Sequence, residues 1–314
     1  MKTFNIIKRV IHALLFYMSR FIKRVINSFR LFKLPQKSYM FVQMSVKWKG
    51  INLIPFNYGD DLNVFILGNL TKKHILQHRS FFHFRKTNYL CIGSIIESHC
   101  NNNSIIWGSG SMYGDTSKVY KPKKVCALRG PLTKRYLETF GVICPEIFGD
   151  PALLLPLIYK PTNIVKKYKL GIIPHYIDYN LPHVTRFREE HPEILFINMQ
   201  EYISWNDIID KINSCECIAS SSLHGMIISD AYDIPNVQII FSDNIAGGDF
   251  KYRDYCAGVQ REYNFPINCK TNINVNKILD SMASYKKIHF DSMSLLKACP
   301  LPIDNKVSEM IGIK

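Results

Sequence analysis

Short runs of apolar and β-branched residues alternate with longer segments of helical spacing from residue 51 onward. The short runs predict strands, and the longer segments predict helices between them. Such alternation is typical of parallel sheets covered by helices on both faces. The pattern therefore predicts an α/β protein, with strands at 51–55, 89–93, 104–107, 124–128, 170–173, 194–197 and 217–219.

The segment 156–169 interrupts this alternation with two prolines and a cluster of lysines. We interpret it as a linker, because 314 residues suit two domains of about 150 residues each. The predicted halves span 36–158 and 159–275, with a cleft between them and a helical segment at 276–314. Ligands of such folds bind beyond the carboxyl ends of the strands. Candidate catalytic and ligand-binding residues are therefore expected in the loops that follow the strands.

The first 35 residues have a different pattern. Apolar residues recur every three or four positions from Ile7 to Phe32, and Pro35 ends the pattern. Residues 1–59 contain 11 Lys or Arg and no Asp or Glu, so they carry most of the net charge of +15. A basic amphipathic helix of this kind binds anionic membrane surfaces. The alternatives are a helix packed on its own domain and a helix that docks a partner.

The location and the metal content are also predicted from composition. The apolar stretch 10–18 is much shorter than the roughly 20 residues that cross a bilayer, and no signal-peptide cleavage site follows it. Nine cysteines, an odd number without zinc-like spacing, indicate reduced thiols and no metal site. We therefore expect a cytoplasmic protein, peripheral on the inner leaflet through residues 1–33.

Three motifs of the first half contain candidate ligand-binding residues. The turn around Asn57 and Gly59 presents two carboxylates, Asp60 and Asp61, either as helix caps or as groups that orient or deprotonate a hydroxyl. The loop with Ser109 and Gly110 lets backbone amides approach a ligand.

The third motif contains Arg129, which ends a predicted strand before a Gly-Pro helix start. A guanidinium there suits a carboxylate or a phosphate, and the alternative is a structural arginine.

The second half supplies a loop rich in hydroxyl groups. Ser220, Ser221 and Ser222 follow a strand and precede a helix predicted to begin at residue 226, an arrangement that favours anion binding. His224 lies at the mouth of this helix and can exchange a proton beside a bound anion. His175 follows another strand and is expected to face the cleft.

A basic pair, Lys251 and Arg253, completes the candidate residues. On an extended segment the two side chains would share one face and complete a basic pocket. The alternative is a solvated surface run.

These blocks together resemble the polysaccharide pyruvyl transferase family, of the exopolysaccharide ketal-pyruvate type. They occur in the family's order across 57–255. The blocks are N-Y-G-D-D-L-N, I-I-W-G-S-G, A-L-R-G-P-L-T, F-G-D-P-A-L-L-L-P, G-I-I-P-H-Y-I-D, S-S-S-L-H-G-M-I-I-S-D-A-Y-D-I-P and F-K-Y-R-D-Y.

The resemblance implies a GT-B-like fold of two Rossmann-like domains facing across a cleft. It implies phosphoenolpyruvate as donor, no other cofactor, and a lipid-linked or oligosaccharide acceptor in exopolysaccharide or capsule synthesis. His224 matches the family's general acid, and Arg129 matches a donor-binding arginine. Many members have an arginine where this chain has Ser222, so Lys251 or Arg253 is expected to supply that charge.

Two other functions compete with this reading. A glycosyltransferase that uses a nucleotide sugar has the same architecture, and fold does not distinguish the two. The basic N-terminus also suits a non-catalytic membrane or nucleic-acid binding protein. The sequence contains no recognisable nucleic-acid module, so no nucleic-acid partner is expected.

Deletion of residues 1–33 is predicted to weaken membrane binding. The full chain should float with anionic vesicles, because its basic amphipathic segment lies in the headgroup region. The truncated chain should remain in the dense fraction. Equal flotation of the two proteins would contradict the prediction.

Overall fold

The computed structural model describes residues 57–73, 75, 87–115, 119 and 121–312, and the backbone of two strands before them. These are β1 (Val46–Trp48) and β2 (Ile51–Ile54), which pair antiparallel. The helix predicted for residues 1–35 lies outside the described residues, and its contact with membranes stays a prediction.

The first half contains a three-stranded parallel sheet in the order β3-β4-β5. All three strands had been expected from the apolar runs. The strands are β3 (Asn88–Leu90), β4 (Ser104–Trp107) and β5 (Lys124–Ala127). The helices of this half are α1 (Tyr58–Thr71), α2 (Ile96–His99) and α3 (Pro131–Glu138), followed by a 3₁₀ turn (Pro151–Leu154) and α4 (Leu155–Ile158).

The second half contains a five-stranded parallel sheet in the order β10-β9-β8-β6-β7. Its strands are β6 (Tyr168–Ile173), β7 (Leu195–Phe196), β8 (Cys215–Ser220), β9 (Asn236–Ile240) and β10 (Ile267–Asn268). Its helices are α5 (Pro182–Glu190), α6 (Asp207–Asn213), α7 (Leu223–Ala231) and α8 (Phe250–Gly258). Three short helices follow: α9 (Val275–Ser281), α10 (Ser292–Lys297) and α11 (Asn305–Met310).

The mixed α/β class and the parallel sheets are confirmed, and the strands agree with a Rossmann-like fold. The GT-B-like arrangement of the domains stays a prediction. Three local predictions were wrong. Helix α7 begins at Leu223 rather than at residue 226, α8 replaces the expected extended segment, and the start of the expected linker is helical in α4. Apolar periodicity is weak in α8 because it is buried on several sides.

The two sheets share one buried apolar cluster. It includes Trp107 at the end of β4, Ile173 at the end of β6, and Tyr255 on α8. Helix α10, near the end of the chain, also contacts the first half. Trp107 Nε1 donates to the carbonyl of Leu295 on this helix at 2.8 Å. Each half therefore contributes to the core of the other.

A buried ion pair fastens α8 to the first half. Arg129, after β5, and Asp254, on α8, are both fully buried, and Nε of Arg129 lies 2.9 Å from Oδ2 of Asp254. The other oxygen of Asp254 accepts from the N–H of Thr133 in α3 at 2.7 Å. The backbones come close there, because a Cβ on Gly130 would lie 1.8 Å from the carbonyl oxygen of Asp254.

None of the helices in the part of the chain that the structure describes is long and apolar enough to cross a membrane. All nine cysteines lie in that part, and all are unpaired. Burial is the main cause that raises the pKa of Cys215 to about 12, and it raises the pKa of Cys100 to about 12 as well. Such thiols are unreactive at neutral pH.

Replacing Asp254 with Ala is predicted to destabilise the protein by about 3–5 kcal/mol, because Arg129 would then be a buried charge without its partner. The matched control is Asp249→Ala in the residue that precedes the same helix. Its carboxylate is exposed and lies 3.8 Å from Arg253, so its loss should change stability by less than about 1 kcal/mol. Urea unfolding measures both values, and equal effects would contradict the structural role of the pair.

Candidate active site

His224 lies in the first turn of α7, where β8 delivers it to the boundary between the halves. Its ring packs directly on the backbone of Gly59 in α1, since a Cβ at Gly59 would lie 2.0 Å from its Nδ1. Its Nε2 is buried and has no hydrogen-bond partner among the described residues. The turn around Gly59 thus provides the space for the ring of His224.

The surroundings keep this imidazole neutral. Burial first, and then the charges of Arg129 and Lys251 and the neighbouring His175, lower the pKa of His224 to about 3. The N-terminus of α7, where backbone N–H groups have no partner within the helix, adds positive potential at the same place. The free protein therefore holds an unprotonated histidine among cationic groups.

Lys251, on α8, contributes a positive charge to the site. Only 6% of it is exposed, and its Nζ donates to the carbonyl of Ala246 at 3.0 Å. Burial, and then the charge of Arg129, lower the pKa of Lys251 to about 8. A bound anion would offset both effects.

Arg253 lies elsewhere, and the prediction that it shares a face with Lys251 was wrong. The segment is helical, so two residues two positions apart point in widely different directions. The side chain of Arg253 is 53% exposed and approaches only Asp249 among the ion pairs of the described residues.

Arg129 contributes charge from a position enclosed by protein. Its Nη1 donates to Ser94 Oγ and its Nη2 donates to the carbonyl of Ser111 at 2.7 Å, besides the bond to Asp254. Gly110 makes room for the guanidinium, since a Cβ there would lie 2.2 Å from Cζ of Arg129. The structure thus places Arg129 close enough to influence His224, while its three nitrogens contact protein groups.

The serine loop holds the site together. Ser220 Oγ donates to the carbonyl of Ser222 at 2.8 Å and accepts from the N–H of Ser222 at 3.0 Å. Ser221 Oγ accepts from the N–H of His175 at 2.8 Å. Two of the three hydroxyls expected to bind an anion thus have backbone partners, that of Ser220 within the loop and that of Ser221 at His175. Ser222 stands at the N-cap of α7 without a side-chain capping bond.

His175 lies beside these groups at the end of β6. Burial, and then the charge of Lys251, lower the pKa of His175 to about 4. Its imidazole is neutral at pH 7, and the expectation that it faces the site is supported by its electrostatic influence on His224.

Asp60 is the candidate carboxylate of the site, and it follows Gly59, the residue on which the ring of His224 packs. It is nearly buried, and its Oδ2 accepts from Nδ2 of Asn57 at 3.0 Å. Its Oδ1 lies 3.5 Å from the Cβ position of Gly93. Burial, and then the negative charge of Asp60, raise the pKa of Tyr176, which is the neighbour of His175 in the chain.

Two of the candidate residues have structural partners. Asp61 accepts from the hydroxyl of Tyr202, a contact between α1 and the second half. Ser109 is fully buried, and its Oγ donates to the carbonyl of Gly93 at 2.7 Å. These contacts shape the loops on which the site rests.

Asp150 is a further buried titratable group near Arg129, and it was not among the candidate site residues. It is almost completely buried, its Oδ1 accepts from the N–H of Ala152 at 2.9 Å, and its Oδ2 has no partner among the described residues. Burial raises its pKa to about 7, although the Ala152 amide and the charge of Arg129 oppose this. The signal in the sequence is the motif Gly149–Asp150–Pro151, which lies in one of the blocks that carry the family resemblance.

The described residues contain no group of three His, Cys, Asp or Glu side chains that could hold a metal ion. The site therefore consists of a neutral imidazole, a lysine, a buried guanidinium and a carboxylate, next to a helix N-terminus. An arrangement of this kind binds a small anion and transfers a proton to or from it. The fold and the site define an α/β protein with acid–base groups for an anionic substrate.

Comparison with known proteins gives the family. Residues 22–240 match the polysaccharide pyruvyl transferase family. The uncharacterized protein L143 of Acanthamoeba polyphaga mimivirus is 29% identical over 252 residues, which cover 75% of this chain and 82% of that protein. The succinoglycan biosynthesis protein ExoV of Rhizobium meliloti (strain 1021) is 26% identical over 209 residues, which cover 63% of this chain and 60% of ExoV. No solved structure matches the chain.

The family match extends over more than half of the chain. The chain therefore belongs to the polysaccharide pyruvyl transferase family and is a transferase of polysaccharide pyruvylation.

Gly59→Ala is predicted to expel the His224 ring from its place, because the added methyl would overlap the imidazole. The displaced imidazole should titrate nearer its ordinary pKa of 6.5 than the value of about 3 in the native site. NMR of the histidine side chains over a pH series measures this shift.

The matched control is Gly68→Ala on the same helix, where the nearest atom, the carbonyl oxygen of Lys73, would be 3.8 Å from the new Cβ. This variant should keep the native titration and gain up to about 1 kcal/mol of helix stability. The same low pKa for His224 in both variants would refute the close packing.

Proposed function

We propose that this protein transfers the pyruvyl group of phosphoenolpyruvate to two hydroxyls of a sugar in a polysaccharide precursor, forming a pyruvate ketal and releasing phosphate. The observation that carries the proposal is the neutral His224 among Lys251, Arg129 and His175 at the N-terminus of α7. The family supports the reaction class, and the local chemistry supports the donor.

Phosphoenolpyruvate carries negative charge at both ends, a phosphate and a carboxylate. In this proposal Lys251 and the free N–H groups at the start of α7 donate hydrogen bonds to phosphoenolpyruvate. Arg129 contributes its positive charge without touching the donor. Lys251 thus takes the role of the arginine that many family members have at the position of Ser222. Burial, and then the charge of Arg129, lower the pKa of Lys251, and a bound anion would offset both effects.

Donor binding prepares the acid. Negative charge next to His224 offsets the charges of Arg129 and Lys251 and raises the pKa of the imidazole, so that it takes up a proton. His224 then gives this proton to the methylene carbon of the donor, which becomes a methyl group. The central carbon becomes electrophilic.

A sugar hydroxyl attacks that carbon, and Asp60 accepts the hydroxyl proton or orients the group for attack. The C–O bond to phosphate breaks, and phosphate leaves with the electron pair. The second hydroxyl then attacks the same carbon and closes the cyclic ketal, and its proton goes to the released phosphate or to solvent. The two hydroxyls lose two protons in all, of which one is balanced by the new methyl group.

The acceptor in this proposal is an oligosaccharide of a surface polysaccharide, carried on a lipid. The basic segment 1–33 would bring the enzyme to the anionic membrane that holds such a carrier. The other candidate, a glycosyltransferase that uses a nucleotide sugar, would transfer a sugar and leave phosphoenolpyruvate unused.

Replacing His224 with Ala is predicted to lower turnover by about 100- to 10,000-fold, the usual contribution of a general acid. The assay follows isotope from labelled phosphoenolpyruvate into a panel of lipid-linked oligosaccharides, with mass spectrometry of the added pyruvyl group. His191→Ala is the control, because that imidazole is exposed at the end of α5 and contacts Glu193.

Near-normal turnover of the His224 variant would remove His224 from the role of acid. Label that enters the acceptor only from nucleotide sugars would contradict the proposed reaction and favour the glycosyltransferase.

A further inference from the structure

A cavity of about 270 Å³ opens beside the carboxyl end of β9, apart from the cluster around His224. Its walls include Gln238 from β9, Ser242 after β9, Tyr252 on α8, and Tyr263 and Phe265 from the loop before β10. A second cavity of about 550 Å³ shares Gln238, Tyr263 and Phe265 with it. The smaller cavity, beside β9, is called the groove below.

Two polar groups of this groove are buried without partners. Gln238 is 7% exposed, and its Oε1 has no hydrogen-bond partner among the described residues. The hydroxyl oxygen of Tyr263 is also buried and has no partner in that part of the chain. An unsatisfied buried polar atom costs about 1–3 kcal/mol. Both residues line both cavities, so a ligand that these side chains turn to meet would satisfy the unpaired atoms.

A third unpaired oxygen lies just behind the wall. Asp178 is fully buried, and its Oδ1 accepts from the hydroxyl of Ser242 at 2.5 Å, while its Oδ2 has no partner in the described residues. Ser242 itself lines the smaller cavity. The wall is therefore rich in hydrogen-bonding groups that accept protons from hydroxyls.

The charge of the smaller cavity differs from that of the candidate donor site. Among the described residues that line it there is no Lys or Arg. Its two carboxylates have cationic neighbours outside the wall, Asp243 with Lys270 at 2.6 Å and Asp249 with Arg253 at 3.8 Å. The cavity is close to neutral and has no strong attraction for an anion.

Its surface also presents aromatic rings. Tyr252 and Tyr263 line it, and Phe265 stands at the rim with 88% of its surface exposed. A pyranose offers C–H groups on its faces and hydroxyls around its edge. Aromatic rings beside amide, carboxylate and hydroxyl groups match both kinds of surface.

The groove is connected to the candidate donor site through α8. The hydroxyl of Tyr252 donates to the carbonyl of Ser221 at 2.8 Å, and Ser221 also positions His175. Lys251, the cation of the donor site, is the neighbour of Tyr252 in the chain. Consecutive residues of one helix therefore contribute to the groove and to the candidate donor site.

We propose that this groove binds a neutral sugar unit of the acceptor, adjacent to the unit that receives the pyruvyl group, through Gln238, Tyr263 and the aromatic rim. The inference rests on the proposed function for the identity of the acceptor. Its claim is the division of the second half into a cationic site for the donor and a neutral site for the saccharide.

Saturation-transfer NMR on the full chain tests this with glucose, galactose and N-acetylglucosamine as neutral probes and UDP-glucose as the nucleotide probe. At least one neutral sugar should give a signal, and excess phosphoenolpyruvate should leave that signal in place. Gln238→Leu and Tyr263→Phe should each weaken sugar binding about tenfold, equivalent to about 1.4 kcal/mol. The control Tyr113→Phe removes the hydroxyl of an exposed tyrosine outside both cavities and should have no effect.

Absence of a signal from every neutral sugar would overturn the inference, and so would displacement of the sugar by phosphoenolpyruvate or a signal from UDP-glucose alone. Full sugar binding in both variants would overturn it as well. Should Gln238→Leu fail to fold, Tyr263→Phe decides, since it removes a single oxygen.

Calorimetry with phosphoenolpyruvate separates this inference from the proposed function. Donor binding without sugar binding refutes only the groove. Failure of the protein to bind phosphoenolpyruvate refutes the proposed function.

Discussion

The ion pair between Arg129 and Asp254 is the interaction on which the rest of the structure depends. It is fully buried and joins the loop after β5 to α8, an element of the other half of the chain. Because α8 also carries Lys251 and Tyr252, the pair sets the positions of a cation and an aromatic wall at once. A buried pair is weak evidence for stability, but the removal of one partner is costly. Here it has a second consequence, since the charge of Arg129 helps to keep His224 neutral.

Close contacts through glycines make this arrangement possible. Gly59 lies against the ring of His224, and Gly110 lies against the guanidinium of Arg129. In both cases a glycine from the first half accommodates a side chain that the site needs. A methyl group in either place would overlap the side chain opposite, so the residue type follows from the distance between two elements rather than from a turn. The first half thus shapes the site by providing space as much as by providing functional groups.

The electrostatic design separates two tasks. Near His224, at the start of α7, lie the charges of Arg129 and Lys251, and His224 and Lys251 both have lowered pKa values. The groove beside β9 is nearly neutral and has unsatisfied polar groups instead. An anionic donor and a neutral saccharide would sort between these surfaces by charge and hydrogen bonding alone. Asp150, with a pKa of about 7, is a further group near Arg129 that can hold or release a proton at neutral pH.

The sequence by itself determined the α/β class, most strands, and the loops that carry His224, Arg129 and Asp60, because apolar periodicity and turn residues act over a few positions. It also determined the family, through the order of its blocks. Only the tertiary structure decided that Lys251 is buried while Arg253 is exposed, because that depends on the segment being a helix packed on its neighbours. Only the structure found Asp254 as the partner of Arg129 and placed Gly59 beneath His224. These pairs lie far apart in the chain, and local patterns carry no information about which distant side chains meet.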